Sequence, residues 1–537
     1  MAVHMTTSNE TPTSLPWRFG PIRAAGCRCN SPLCQRLHQR ITEDRSRRSF
    51  VDGVAAMLAP FALPSLANAQ DLKEGPRPVL LTNLRLFDGS GSAEREGVQV
   101  LVKGKHIAEV LPASTAVEGA QVLDCQGKLL MPGLIDVHWH TMLAGISQLA
   151  AVSADLGYLY LVAAKEAQRT LMRGFTSVRD PGGPAFALKR AIDEGIVDGP
   201  RIFPSGAMIS QTSGHGDVRL RSDLPRAPNA PLSLVESSGI AMIADGEAEV
   251  MRRVRGQLML GASQIKMLAG GGVASMYDPL DSTQFSEREL RAGVEVASDW
   301  NTYVMAQVYT PKGIQRSIRA GVKCIEHGQL ADEASVRMMR DEGVWWSLQP
   351  FLQDEDSNVY PDPARRASQK QVAEGTVQAY ALAQKYGIKT GWGTDMLFNP
   401  RNTGSQGRQL AKLTRFYDPL KLLGQATGVN GDLLALSGAR NPYPGVVGRI
   451  ALKAWADLLV VDGNPSTGLD FLADPEKNLN LVMKDGKIYK NTLRTSSNQS
   501  AQDPERILVT FCRSPWCLVA GEGTPLLTSG PYASNSP

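Results

Sequence analysis

The chain has 537 residues, 42% of them hydrophobic and 20% charged, a composition that fits a soluble globular protein and excludes a disordered or fibrous one. Its net charge of +4 lies in residues 1–70, which hold eight Arg, no Lys and four acids. The near-neutral remainder has no electrostatic footprint for nucleic acid, and no apolar run reaches the roughly 18–20 residues of a membrane span.

The basic N-terminal segment has its own reading. Ser46-Arg47-Arg48-Ser49-Phe50 precedes the apolar run "VAAMLAPFALPSL", and Ala67-Asn68-Ala69 is a small-x-small cleavage pattern before Gln70. Residues 1–69 are therefore expected to be a presequence with a twin-arginine export signal, placing the mature protein in the periplasm or outside the cell. The competing reading is a chance Arg pair ahead of a buried helix. The lead before Ser46 is 45 residues, longer than such signals need, and no Met lies between Met5 and Met57. Of seven cysteines, Cys27, Cys29 and Cys34 fall in this segment and Cys512 and Cys517 in the C-terminal tail, leaving Cys125 and Cys324 for the folded region. That is no disulfide framework. "CRCNSPLC" lacks the second ligand pair of a metal knuckle, and a Cys512–Cys517 bridge has little support.

From about Pro78 the pattern is β. "VLLTNLRLFDGSG", "VQVLVKGKHIAEV" and "QVLDCQGKLLMPG" are apolar runs punctuated by Gly and Asp, and "ADLLVVDGNP" and "LVMKDGKIYKN" repeat the style near the other end. Residues 78–131 and 438–491 are expected to pair as a small β-sandwich. Between them, over 132–437, eight short apolar strands alternate with helical stretches: Leu134–His138, Phe175–Asp180, Arg201–Gly206, Gln264–Ala269, Tyr303–Val308, Cys324–Gly328, Trp345–Pro350 and Ile388–Asp395. Ser286 and Glu289 form a capping box at the start of one helix. The fold class is α/β, and the eight repeated units fit a (β/α)8 TIM barrel. Residues 492–537, rich in Ser, Gly, Pro and Asn, read as an unstructured tail.

The chemistry concentrates at the strand ends. In "GLIDVHWHTML", His138 and His140 are two apart at the end of an apolar strand, so both imidazoles reach one face and one ion. The bland alternative is a pair of polar residues on a solvated antiparallel strand, but "LLMPGLIDV" reads as buried on both faces. Lys266 lies inside the strand of "QIKMLAGGG", where an isolated ammonium must find a partner or shift its pKa, unless its amine snorkels to the strand end. His327 in "CIEHG", which alone reads as a satisfied core histidine, and Asp395 in "GWGTDM" end two further strands. Barrel active sites occupy that rim. His215 in "TSGHGD" follows the third strand and is either a substrate contact or an ordinary loop histidine. Of Trp345 and Trp346, one must face the helices and reads as core.

Taken together, "MPGLIDVHWH", "IKMLAGGG", "GVKCIEHG" and "ADLLVVDGNP" resemble the metal-dependent amidohydrolase superfamily. The resemblance is to the branch of prolidase-like dipeptidases, imidazolonepropionase-like proteins and ochratoxin-hydrolysing amidases, and it spans about Val79 to Asn491. It implies two divalent metal ions, usually zinc. His138, His140 and Asp395 would hold one, and His327 and a strand-five histidine the other. A CO2-derived carbamate on Lys266 would bridge them. It further implies a shared hydroxide attacking an amide carbonyl, with Asp395 shuttling the proton. His215, Arg219 and Tyr309 would then contact substrate, each against an ordinary surface or packing role.

Strand five departs from that pattern. "YVMAQVYT" carries Gln307 where the branch has His, and a neutral amide is a poor zinc ligand. Three readings stand: Gln307 ligates weakly, one ion suffices, or the site is impaired. The expected function is hydrolysis of an amide bond in a dipeptide, N-acyl amino acid or ochratoxin-like aryl amide. The alternatives are a cyclic-amide hydrolase, a deaminase, or a weakened ligand-binding barrel. The expected partner is a small-molecule amide, and a homo-oligomer is left open.

Overall fold

The computed structural model describes residues 77–224, 230–274, 277–358 and 360–493. The expected export presequence and, beyond Leu493, the expected unstructured tail, with the five cysteines they contain, lie outside the described residues.

Four strands open the described chain: β1 (Val79–Leu86), β2 (Val98–Lys103), β3 (His106–Pro112) and β4 (Gln121–Pro132). The barrel strands follow, with two short extras among them: β5 (Leu134–Asp136), β6 (Phe175–Asp180), β7 (Arg201–Pro204), β8 (Met208–Ser210), β9 (Ala241–Ile243), β10 (Ile265–Leu268), β11 (Val304–Val308), β12 (Cys324–His327), β13 (Trp345–Leu348) and β14 (Thr390–Trp392). β15 (Leu458–Val461), β16 (Leu479–Lys484) and β17 (Lys487–Asn491) close the chain.

Both ends of the described chain meet in one mixed sheet of order β17-β16-β15-β4-β1-β2-β3. The junction is the antiparallel β4–β15 ladder, which pairs Met131 with Leu459 and Leu130 with Val460. The sheet curls so that its outer edge returns to its own middle: Ile107 N donates to Ala454 O, and Ala456 N to Lys105 O. The enclosed core is Leu81, Val100, Ile107, Cys125, Leu130, Leu458, Val460 and Leu481. Alternate residues of each strand point inward, as the pleat requires. Cys125 and Cys324 are buried free thiols.

β5, β6, β7 and β10 to β14 form the (β/α)8 barrel. Every residue of β6, β7 and β10 to β14 is buried, as expected of parallel strands covered by helices on one side and packed side chains on the other. The ring closes where Val137 N donates to Trp392 O and where Ser263 N donates to Pro204 O. The third strand is shorter than the sequence implies. It ends at Pro204, which is still in register with Asp180. The chain turns through Gly206 at φ 72° and resumes as β8, which pairs with β10 through Ile209 and Met267. The capping box of Ser286 and Glu289 is present on helix Glu287–Asp299.

Candidate active site

The first and last barrel strands are sewn together just beyond their ends by one buried carboxylate, Asp136. Its Oδ1 accepts from His138 N at 3.0 Å and Thr394 N at 3.1 Å, and its Oδ2 accepts from Thr394 Oγ1 at 2.8 Å. Asp395 N then donates to His138 O at 2.8 Å. The approach is so close that a Cβ on Gly393 would lie 2.5 Å from His138 N. This seam sets His138 against Asp395, which lines the cavity. His138 Nε2 and His140 Nε2 each lie 3.2 Å from Asp395 Oδ1. His140 is turned by an Nδ1 contact with Gly182 O at 3.1 Å.

His327 completes the group. Its ring centroid is 5.0 Å from that of His138, and ligand atoms of His138, His327 and Asp395 lie within 4.8 Å of one another. Tyr309 stacks on His327 at 4.9 Å. His327 and Asp395 both have left-handed backbones, φ 71° and 54°. A left-handed backbone at a non-glycine residue is costly and recurs where structure is strained for function. His327 Nδ1 is buried with no hydrogen-bond partner, which is unusual for a polar atom and leaves its lone pair available to a cation. Three imidazoles and a carboxylate converging on one locus, with an orphaned nitrogen among them, fit a divalent metal.

Burial alone would raise the Asp395 carboxyl, but His138 and His140 outweigh it and hold it well below the usual range. Burial pushes the Lys266 amine down to about 8, partly offset by Glu326 and Asp395. Lys266 Nζ lies 3.5 Å from His138 Nε2. Burial also holds the His327 imidazole well below its ordinary pKa, so it is neutral and able to ligate.

Three residues beneath this group were not among the sequence candidates. Glu326 Oε2 lies 2.7 Å from His138 Nδ1, and Arg179 donates to Glu326 Oε1 at 2.6 Å. All three side chains are fully buried. Burial would raise the Glu326 carboxyl, yet the Arg179 charge and His138 hold it well below the carboxylate range. Glu326 therefore keeps the proton on His138 Nδ1 and leaves Nε2 free to ligate. Asp180 accepts from Thr141 N and Gly182 N, both at 2.9 Å, and burial pushes its carboxyl up to about 6. The signal for each was on the page: an Arg or an acid inside an otherwise apolar strand, as in "FTSVRD" and "CIEH".

The remaining candidates divide. Gln307 and Tyr309 line the cavity with His140, His215 and Asp395. Gln307 is 6% exposed and pairs in register with Leu268 and Glu326, two residues nearer the mouth than Met305, the neighbour of Lys266. His215 is set by an interlock of loops. Its ring fills the space a Cβ on Gly272 would occupy, 2.1 Å from Cε1, and its Nδ1 lies 3.7 Å from Asp278. Arg219 lies outside the cavity lining. It is buried, and Asp217 takes its guanidinium at 2.6 and 2.7 Å, so its charge is met within its own loop.

The amidohydrolase family model matches residues 129–489. The chain belongs to the amidohydrolase family. It is 31% identical over 396 residues to ochratoxinase of Aspergillus niger, covering 70% of this chain and 78% of that protein. Among solved structures, this amidohydrolase is similar to a prolidase complexed with N-methylphosphonate-L-proline, at 33% identity and TM-score 0.70, over 77% of this chain and all of that one. A Xaa-Pro dipeptidase with bound methionine is 26% identical with TM-score 0.66, over 77% of this chain and all of that one. The chain is accordingly a hydrolytic enzyme acting on amides, in a family that is generally metal-dependent.

Proposed function

We propose that the amidohydrolase cleaves the amide bond of a dipeptide, an N-acyl amino acid or an ochratoxin-like aryl amide, using divalent metal held by His138, His140, His327 and Asp395. The convergence of those four side chains on one buried locus carries the reading, and the ochratoxinase, prolidase and dipeptidase relatives support the substrate class. Zinc suits the nitrogen-rich donor set. A second ion and a carbamate on Lys266 complete the proposal: an amine held near 8 is in part unprotonated near neutrality, the form that reacts with CO2. Bound metal supplies a water of lowered pKa and polarises the scissile carbonyl.

The protein's own groups do the rest. Asp395, ionised and facing the cavity, takes the proton of the attacking water and passes it to the leaving nitrogen. Tyr309 keeps its proton, because burial raises its phenol well above the usual value, and it can donate to the carbonyl oxygen. His215 contacts the carbonyl or a substrate carboxylate. Export through the twin-arginine signal is part of the same proposal. One observation favours a second reading, a barrel that binds without turnover: Gln307 stands where another imidazole would serve the metal.

A substrate panel separates these readings. The expected result is turnover of Xaa-Pro dipeptides, N-acyl amino acids or aryl amides, with cyclic amides and aminopurines untouched. Turnover of only the latter two would replace the proposal with a cyclic-amide hydrolase or deaminase. Binding without turnover of any member would support the weakened barrel.

A further inference from the structure

The cavity, about 480 Å³, is walled by Tyr309, Phe351, Leu352, Leu397 and Phe398. Among its described lining residues are two long cations, Lys412 and Arg365, and their surroundings differ. Lys412 Nζ lies 2.9 Å from Asp354 and 3.7 Å from Asp356, and Asp356 is also gripped by Arg408. That cluster is neutralised from within. Arg365 is half-buried, and no described carboxylate lies within ion-pair distance of its guanidinium. The acid nearest to it in sequence, Asp362, is occupied as the helix cap, its Oδ1 accepting from Arg365 N at 2.8 Å.

Arg365 is placed toward the cavity by helical geometry. It lies in the first turn of helix Pro363–Lys385, and Gln369, Val372 and Ala373 of that helix also line the cavity. These positions, i, i+4, i+7 and i+8, form one helical face. A partly desolvated guanidinium without a counter-ion, beside an apolar wall, is costly. It becomes favourable when the cavity's occupant brings the anion. The planar fork matches a carboxylate bidentately.

We infer that Arg365 binds the free carboxylate of the substrate's amine half, so that the enzyme selects amides of amino acids with an unblocked C-terminus over neutral amides. This rests on the amide-hydrolase reading above.

The test compares N-acetyl-L-phenylalanine with N-acetyl-L-phenylalaninamide, following acetate release from both, on the metal-loaded full chain, Arg365→Met and Arg365→Lys. A charge-assisted pair predicts that the enzyme prefers the acid by about 10- to 100-fold in kcat/KM, chiefly through KM. In R365M that preference collapses toward one, and R365K keeps part of it. An equal fall on both probes that leaves the preference intact overturns the inference, as does an intact preference with unchanged rates. If the wild type hydrolyses neither probe, the amide-hydrolase reading is what fails for this class. Calorimetric binding of the same two probes then decides Arg365 separately: tighter binding of the acid, lost in R365M, supports it, and equal or absent binding overturns it.

Discussion

Gln307→His increases the metal retained by the purified protein after dialysis, by strengthening the hold on the second ion, and raises hydrolysis with it. The argument is one of donor chemistry at a fixed position. Gln307 is buried in the cavity lining, in register with Glu326 of β12 and with Leu268 of β10. It is therefore held at the level of the His138–Glu326 pair by the ladder, whatever its side chain. An amide offers a neutral oxygen where zinc favours imidazole, thiolate or carboxylate. Losing even an outer partner of a metal ligand costs about 10- to 100-fold in affinity or activity, so restoring a direct nitrogen donor should regain at least that much. Elemental analysis of both proteins after identical dialysis, with rates in parallel, reads the effect. Equal metal content and equal rates would show that Gln307 is an adequate ligand or that no ion visits that side of the site.

The second large effect is expected at Glu326. Glu326→Leu leaves Arg179 charged and buried without its carboxylate, a loss of about 3–5 kcal/mol in stability, measurable by denaturant unfolding. It also releases His138 Nδ1, which weakens metal retention by about 10- to 100-fold. The two consequences separate in Arg179→Met/Glu326→Leu. An apolar replacement of a buried pair is often tolerated, so much of the stability returns, while His138 still lacks its acceptor and metal remains weakly held. Metal retention that recovered along with stability would reduce Glu326 to a packing role.

The barrel was legible because its strands are apolar on both faces. "VMAQV" and "CIEH" are buried throughout, and each polar residue in them stands out against its neighbours. The strand ends carrying His138, His140, Lys266, His327 and Asp395 were legible for the same reason, and the structure brings those five together. What was not legible depends on contacts remote in sequence. The place of Arg365 in "DPARRASQK" depends on which face of its helix lines the cavity, the face it shares with Gln369, Val372 and Ala373. Asp136 and Glu326 were in plain view as acids within apolar strands, but their roles depend on β14 and β6, hundreds and more than a hundred residues away.

The most direct test of the metal-dependent amide-hydrolase account is hydrolysis of an N-acyl amino acid or Xaa-Pro substrate by chelator-stripped protein, titrated back with zinc while bound metal is counted. The account predicts loss of turnover on stripping and its return in proportion to bound zinc, with Asp395→Asn inactive at every occupancy. Turnover that survives complete removal of metal would contradict it.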